Sequence, residues 1–335
     1  MKVLLTGCFG NIGSHTIPAL LDQGHTVRCF DLPRVPHRRL LKGISQNHGD
    51  SVSARLELTP GDVREIADVE RAVEGVDAVI HLAAVIPPVC NEEPQQSRRV
   101  NVEGTRNIIS ACKRQSQPPR LLFASSFDVF GNTQSQNPPR TTADPVRVSD
   151  PYTEHKIVCE SLVRESNLTW CIFRFSDVPV LGLRAPHPIM FEIGLHNRIE
   201  ALHADDAGFA LAQALTVEEA WGRTLLVGGG PSCQLTYRSY LERLLDAMGV
   251  GMLSEQAFCP RDYVTDWIDS RDAQRLFHYQ RHTFDTIAAD IASFLGWRRL
   301  FVPLVRPFVR SRIERMSPYI RGRGAGYGCV DGGTG

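Results

Sequence analysis

Tyr152 and Lys156 fall four residues apart in SDPYTEHKIVCE, a spacing that puts a phenol and an ammonium on one face of a helix. A phenol with an ordinary pKa of about 10 is a poor base at neutral pH, and a fixed ammonium beside it favours the phenolate. The pair is therefore a candidate proton-transfer device. Asp150 suits an N-cap and Pro151 the first helical position, so Tyr152 is expected in the first turn, next to whatever lies at the helix start.

A second pattern lies at the other end of the chain. TGCFGNIG places Gly7, Gly10 and Gly13 directly after the apolar strand KVLLT and at the opening of a helix. Glycines there allow a tight turn and close backbone approach, while the helix start, with Asn11 and Ile12, presents N–H groups and a positive dipole to a pyrophosphate. The second strand ends at Asp31, where a carboxylate can accept from adenosine ribose hydroxyls; a 2′-phosphate would be repelled, so NAD is favoured over NADP. Arg34 lies near, but Pro33 separates it from Asp31.

These residues need a scaffold. Apolar strands at 2 to 6, 26 to 30, 55 to 59, 76 to 82, 121 to 125 and 170 to 175 alternate with helical segments at 12 to 23, 64 to 73, 99 to 114 and 151 to 166. Such alternation marks βαβ units and a parallel α/β sheet. Residues 225 to 230 read as a late return to the sheet. The expected division is a nucleotide-binding domain over 1–178 with 203–230 returning to it, a substrate-binding region over 179–202 and 231–320, and a glycine-rich flexible tail over 321–335.

Composition narrows the function classes. Lysine plus arginine equals aspartate plus glutamate, which gives no electrostatic reason to expect nucleic acid as a partner. The nine cysteines are scattered without a CxxC pair or a zinc-type cluster, so they read as reduced core thiols and no metal site is expected. A first strand beginning at residue 2 leaves no room for a signal peptide, no apolar run reaches the roughly 20 residues of a membrane span, and a cytoplasmic location is expected. The stretch 297–323 is unusual: eight arginines against one glutamate, interleaved with apolar residues. It reads either as a basic amphipathic helix able to make peripheral membrane or partner contact, or, interrupted at Pro303 and Pro307, as a broken helix over the substrate cleft.

Taken in order, the motifs resemble the extended short-chain dehydrogenase/reductase superfamily, and within it the NAD-dependent epimerase/dehydratase family, from residue 1 to about 230. The TGxxGxxG pattern is matched by Thr6 to Gly13, an acidic-apolar pair after the third strand by Asp62 and Val63, the HxAA segment by His81, Leu82, Ala83 and Ala84, and NVxGT by Asn101 in NVEGT. The resemblance implies a Rossmann-type doubly wound parallel sheet with a smaller C-terminal substrate-binding domain. It implies that Asp62 and Val63 hold the adenine, that Leu82, Ala83, Ala84 and Asn101 lie along the cofactor, and that Phe175 closes it at the sixth strand. The segment ASSFDVFG is similar to the family's SSxxVYG, which makes Ser126 the hydroxyl that binds the substrate oxygen. By the same resemblance Tyr152 gives or takes the proton, and Lys156 holds the nicotinamide ribose while lowering the tyrosine pKa. A homodimer is expected.

Three departures narrow the chemistry. Phe127 stands where related 4,6-dehydratases carry an acid, which argues against assisted water loss. Asp128 beside it is read as a strand-end carboxylate in preference to a second acid. Asp177 stands where nucleotide-sugar enzymes carry an asparagine, would repel a diphosphate, and is assigned to the substrate side of the cleft. The expected function is NAD-dependent hydride transfer between nicotinamide and a small-molecule secondary alcohol or ketone. The alternatives are a nucleotide-sugar epimerase with transiently reduced NAD, and a non-catalytic NAD-binding sensor or scaffold. Residues 85–97 are expected to line the cleft, and HADD at 203–206 to cap a late helix.

Overall fold

The computed structural model describes residues 1–33, 54–182 and 186–320. The readings made for Arg34 and for the tail lie outside them. Strands β1 (Lys2–Thr6), β2 (Thr26–Asp31), β3 (Leu56–Pro60), β4 (Ala78–His81), β5 (Arg120–Ser126), β6 (Trp170–Phe175) and β8 (Arg223–Val227) form a seven-stranded sheet in the order 3-2-1-4-5-6-8. Every pairing in it is parallel. The principal helices around it are α1 (Asn11–Asp22), α2 (Ile66–Val73), α3 (Gly104–Lys113), α4 (Pro151–Arg164), α5 (Ala204–Ala214) and α7 (Arg271–Phe277).

The strands are apolar on both faces because helices cover both. Alternate residues point to opposite sides. Val3, Leu5, Ile80, Leu122 and Phe173 join one core, and Leu4, Val79, Leu121, Phe123 and Ile172 the other. The strand order reverses about β1, and ligands of such sheets bind beyond the carboxyl ends of the strands at that switch. Register brings Thr6 level with His81, and Ser126 level with Phe175, at this one edge.

A third core gathers Phe191, Tyr237, Tyr240, Phe258, Phe284 and Ile287 beside the sheet. It is carried by α6 (Tyr237–Ala247), α8 (Phe284–Ser293), α9 (Val302–Glu314) and a two-stranded antiparallel sheet of β7 (Arg198–Glu200) and β9 (Gln234–Thr236). A buried ion-pair cluster joins the two parts. Asp266 takes Arg198 at 2.6 Å and the Thr133 hydroxyl at 2.7 Å.

Two expectations change. The helix read over 99–114 begins as a π-helical turn, Arg99–Glu103, before continuing as α3. The proline-containing C-terminal segment is one continuous helix: Pro303 occupies the first turn, where no N–H is needed, and Pro307 forfeits a single bond inside it.

Candidate functional site

Beyond β1 the chain turns so tightly that side chains are excluded. Gly7 has φ +66°, and a Cβ on it would lie 2.7 Å from the Ala83 amide nitrogen; one on Gly13 would collide with the Gly7 carbonyl oxygen. Gly10 is the N-cap of α1 and supplies no side-chain cap, so the first-turn N–H groups of Asn11, Ile12 and Gly13 form an anion site. The cradle fits a dinucleotide pyrophosphate. At its side, Asp31 accepts from the Phe9 N–H at 3.1 Å and the Leu32 N–H at 2.8 Å, which fixes its carboxylate while leaving acceptor capacity for ribose hydroxyls. The Asn11 side chain donates to the Val178 carbonyl at 2.8 Å and ties the glycine turn to the segment after β6.

The wall after β4 is held by three buried polar residues. His81 meets the Thr6 hydroxyl at 2.7 Å and the Thr105 hydroxyl at 3.1 Å. Burial, with Lys156's charge second, pushes its pKa down to about 3, so the imidazole is neutral. The Ala83 N–H donates to the Thr6 hydroxyl at 3.3 Å, which orders Leu82, Ala83 and Ala84 along the cleft. The Asn101 amide accepts from the Val85 N–H at 2.7 Å and donates to the Val85 carbonyl at 2.9 Å. Its nitrogen also lies 3.4 Å from His155 Nδ1, so Asn101 ties the wall to α4. The Phe175 ring is buried against Phe173 in the first core. Asp62 pairs with Arg64, whose hydrogen bond holds its carboxyl below the usual range. Val63 packs against Gly104, where a Cβ would strike it.

Asp150 caps α4 by accepting from the Thr153 N–H at 2.7 Å, and Pro151 follows, so Tyr152 sits in the first turn. Ser126 ends β5. Tyr152 and Ser126 are each 8% exposed and Lys156 is 5% exposed, so the three meet in a shielded place. Lys156 donates to the Ala124 carbonyl at 2.6 Å and lies 5.7 Å from the Tyr152 ring centroid. Burial, with Asp128's charge second, pushes Tyr152 above its ordinary value, and the Ser126 hydrogen bond opposes this. Burial also pulls Lys156 down.

Asp128 stands two residues beyond Ser126 in the turn that follows β5. Its N–H donates to the Ser126 hydroxyl at 3.3 Å. Burial, then the charges of Asp150 and Asp177, push its pKa up to about 7. Asp177, across the cleft, accepts from the Tyr240 hydroxyl at 3.3 Å and is pushed up to about 6 by burial.

Sequence reasoning missed Glu160. It follows Tyr152 and Lys156 at the same four-residue interval, and that interval was the available signal. Glu160 accepts from Arg174 through both oxygens, at 2.9 and 2.7 Å, and from the Ser125 hydroxyl at 2.6 Å. Burial opposes its ionisation, but the Arg174 contacts outweigh this and hold its pKa low. The pair locks α4 to β5 and β6 directly behind the site. Elsewhere, His203 caps α5 as read, accepting from the Asp205 N–H, and stacks on His282 with ring centroids 4.0 Å apart. Stacked rings aim their in-plane lone pairs in parallel, which does not suit one shared metal ion. A cleft of about 570 Å³ beside them, lined by His15, Asp205, Phe209 and Arg281, shares no residue with the Tyr152 cluster.

A parallel sheet with its glycine turn at the switch point, and a serine, tyrosine and lysine buried at the same edge, defines a Rossmann-type fold of the dinucleotide-binding kind. The chain belongs to the NAD dependent epimerase/dehydratase family, whose model matches residues 3–187. It is 32% identical over 212 residues to a 3-beta-hydroxysteroid dehydrogenase of Mycolicibacterium neoaurum, covering 60% of this chain and 54% of that protein. It is 33% identical over 169 residues to UDP-glucose 4-epimerase 3 of Oryza sativa subsp. japonica, covering 49% and 44%. The chain thus spans about half the length of the curated relatives it matches. In fold it is similar to UDP-glucose-4-epimerase from Stenotrophomonas maltophila with bound NAD, with a TM-score of 0.75 at 21% identity over 88% of this chain and 97% of that one.

Proposed function

We propose that this chain is an NAD-dependent oxidoreductase interconverting a secondary alcohol and its ketone on an apolar, alicyclic skeleton of the hydroxysteroid class. The observation that carries this reading is the mouth of the cleft. Ile86, Val89, Val146, Val148 and Val180 are exposed aliphatic side chains. They stand on three segments tied to elements of the site. The first is held to α4 and its cap through Cys90–His155 and Asn91–Asp150 contacts, the second to the turn after β5 through the Arg147 N–H to the Val129 carbonyl, and the third to the glycine turn through Asn11. An apolar ligand would cover these side chains, whereas a diphosphate would meet the Asp177 carboxylate. The Mycolicibacterium neoaurum relative supports the same substrate class.

The glycine cradle and Asp31 would hold NAD, which would supply the hydride acceptor. Ser126 anchors the substrate oxygen. Tyr152 takes the hydroxyl proton during oxidation and returns it during reduction. Lys156, fixed by the Ala124 carbonyl, holds the tyrosine ring in place and offers its remaining donors to a ribose. Asp128 sets the charge balance: while its carboxyl is protonated, ionising Tyr152 costs less, because the largest repulsive charge is absent.

Incubating the protein with NAD and 3β-hydroxysteroids should produce NADH. Tyr152→Phe should lower kcat by about 10²- to 10⁴-fold with NAD binding little changed. Interconversion of nucleotide sugars without net NADH would instead establish the epimerase reading.

A further inference from the structure

The proposed reaction makes no use of α9 or of the 3₁₀ turn Gly296–Leu300 that leads into it. One face of the helix, with Val302, Val309 and Ile313, packs on the third core. The other carries Trp297, Leu300, Phe301, Leu304, Val305 and Phe308, all exposed, with Leu300 and Leu304 at 77% and Trp297 at 71%. Positions 300/301, 304/305 and 308 recur once per turn, so these side chains form one patch. Large contiguous apolar patches on a surface mark interaction sites.

The rim of the patch is cationic. Arg298 and Arg299 stand at its start and Arg312 and Arg315 continue the same face in the last turn, all exposed. None of them joins an ion pair among the described residues, whereas exposed arginines elsewhere commonly do, as in Arg71–Asp68 and Arg271–Asp269. The sole carboxylate side chain between 294 and 320 is that of Glu314, which accepts from the Ser254 N–H at 2.8 Å.

We propose that this face docks the protein on an anionic lipid membrane. The aromatic and aliphatic side chains enter the boundary between headgroups and acyl chains, and the arginines bind the lipid anions. No helix among the described residues is long and apolar enough to cross a membrane, so α9 lies in the plane of the surface. A second copy is the poorer occupant: the patch set against itself would bring its unpaired arginines together, and the one carboxylate of residues 294–320 is already held by the Ser254 N–H. The proposal stands whichever alcohol the site takes.

The test is co-sedimentation of the full chain with vesicles of phosphatidylcholine alone or containing phosphatidylserine, alongside light scattering for oligomeric state. Binding should be at least about fivefold stronger on the anionic vesicles and fall about tenfold in Leu304→Glu/Phe308→Glu, which leaves the packed face intact. Arg298→Glu/Arg299→Glu should lose the preference for phosphatidylserine. Tryptophan emission should shift to the blue on binding, and Trp297→Phe should abolish that shift while still sedimenting. Absence of sedimentation with either vesicle, or sedimentation equal in the Leu304→Glu/Phe308→Glu variant, overturns the proposal. An oligomer that the same variant dissolves, without vesicle binding, assigns the face to a second copy.

Discussion

At the scale of single residues, Asp128 shares its electrostatics with Ser126, Tyr152 and Lys156, the proposed proton-handling side chains. In the folded chain burial pushes the Asp128 carboxyl up to about 7, from its ordinary value of 3.8. The folded chain therefore keeps a proton that the unfolded chain releases across that window, and stability falls as pH rises through it. Asp128→Asn should be more stable than the parent above pH 7, by on the order of 1–2 kcal/mol given the residue's partial solvent contact, with the gap closing below about pH 4. Urea midpoints across pH measure this. At Asp31, substitution by Asn removes the repulsion of a 2′-phosphate while keeping the shape; the ratio of NADP to NAD affinity should rise about tenfold in equilibrium titrations.

At the scale of elements, α4 is the part whose placement decides the chemistry. Its cap sets the angle of Tyr152 and its third turn is bolted to the sheet by Glu160 and Arg174. Glu160→Ala leaves the Arg174 guanidinium buried without its partner and should cost about 3–5 kcal/mol of stability. Replacing both by apolar residues, Glu160→Met with Arg174→Met, should recover most of that loss in denaturant unfolding, since the penalty comes from the orphaned charge. The Tyr152–Lys156 interval was legible as a helix face from spacing alone. Glu160, on the same face, was not read as functional because its partner lies on β6, and a helix period carries no information about which strand it packs against.

At the scale of the molecule, the sheet and the third core meet through Asp266, which is buried and pairs with Arg198 on β7 and Thr133 beyond β5. Asp266→Ala should cost about 3 kcal/mol or more, and hydrogen exchange should quicken first in residues 133–140 and 198–200, where the lost partners lie. Loosening this joint should also raise the KM for substrate more than that for NAD, because Asp177 and Tyr240 face the cleft from the third-core side while the glycine cradle belongs to the sheet.

The sequence by itself determined the parallel sheet, the glycine turn, Asp31 at the second strand's end, and the tyrosine and lysine on one helix face. Each is written in local signals: apolar runs, a backbone conformation that only glycine accepts, and the helical period. The tertiary structure alone decided what distance and burial control. It set Lys156 on the Ala124 carbonyl, bonded Asn101 to Val85, buried Phe175 in the core, and brought the charges of Asp150 and Asp177 close enough to raise the pKa of Asp128. Electrostatic and packing energies depend on separation in space, and that separation exists only once strands distant in the chain lie side by side.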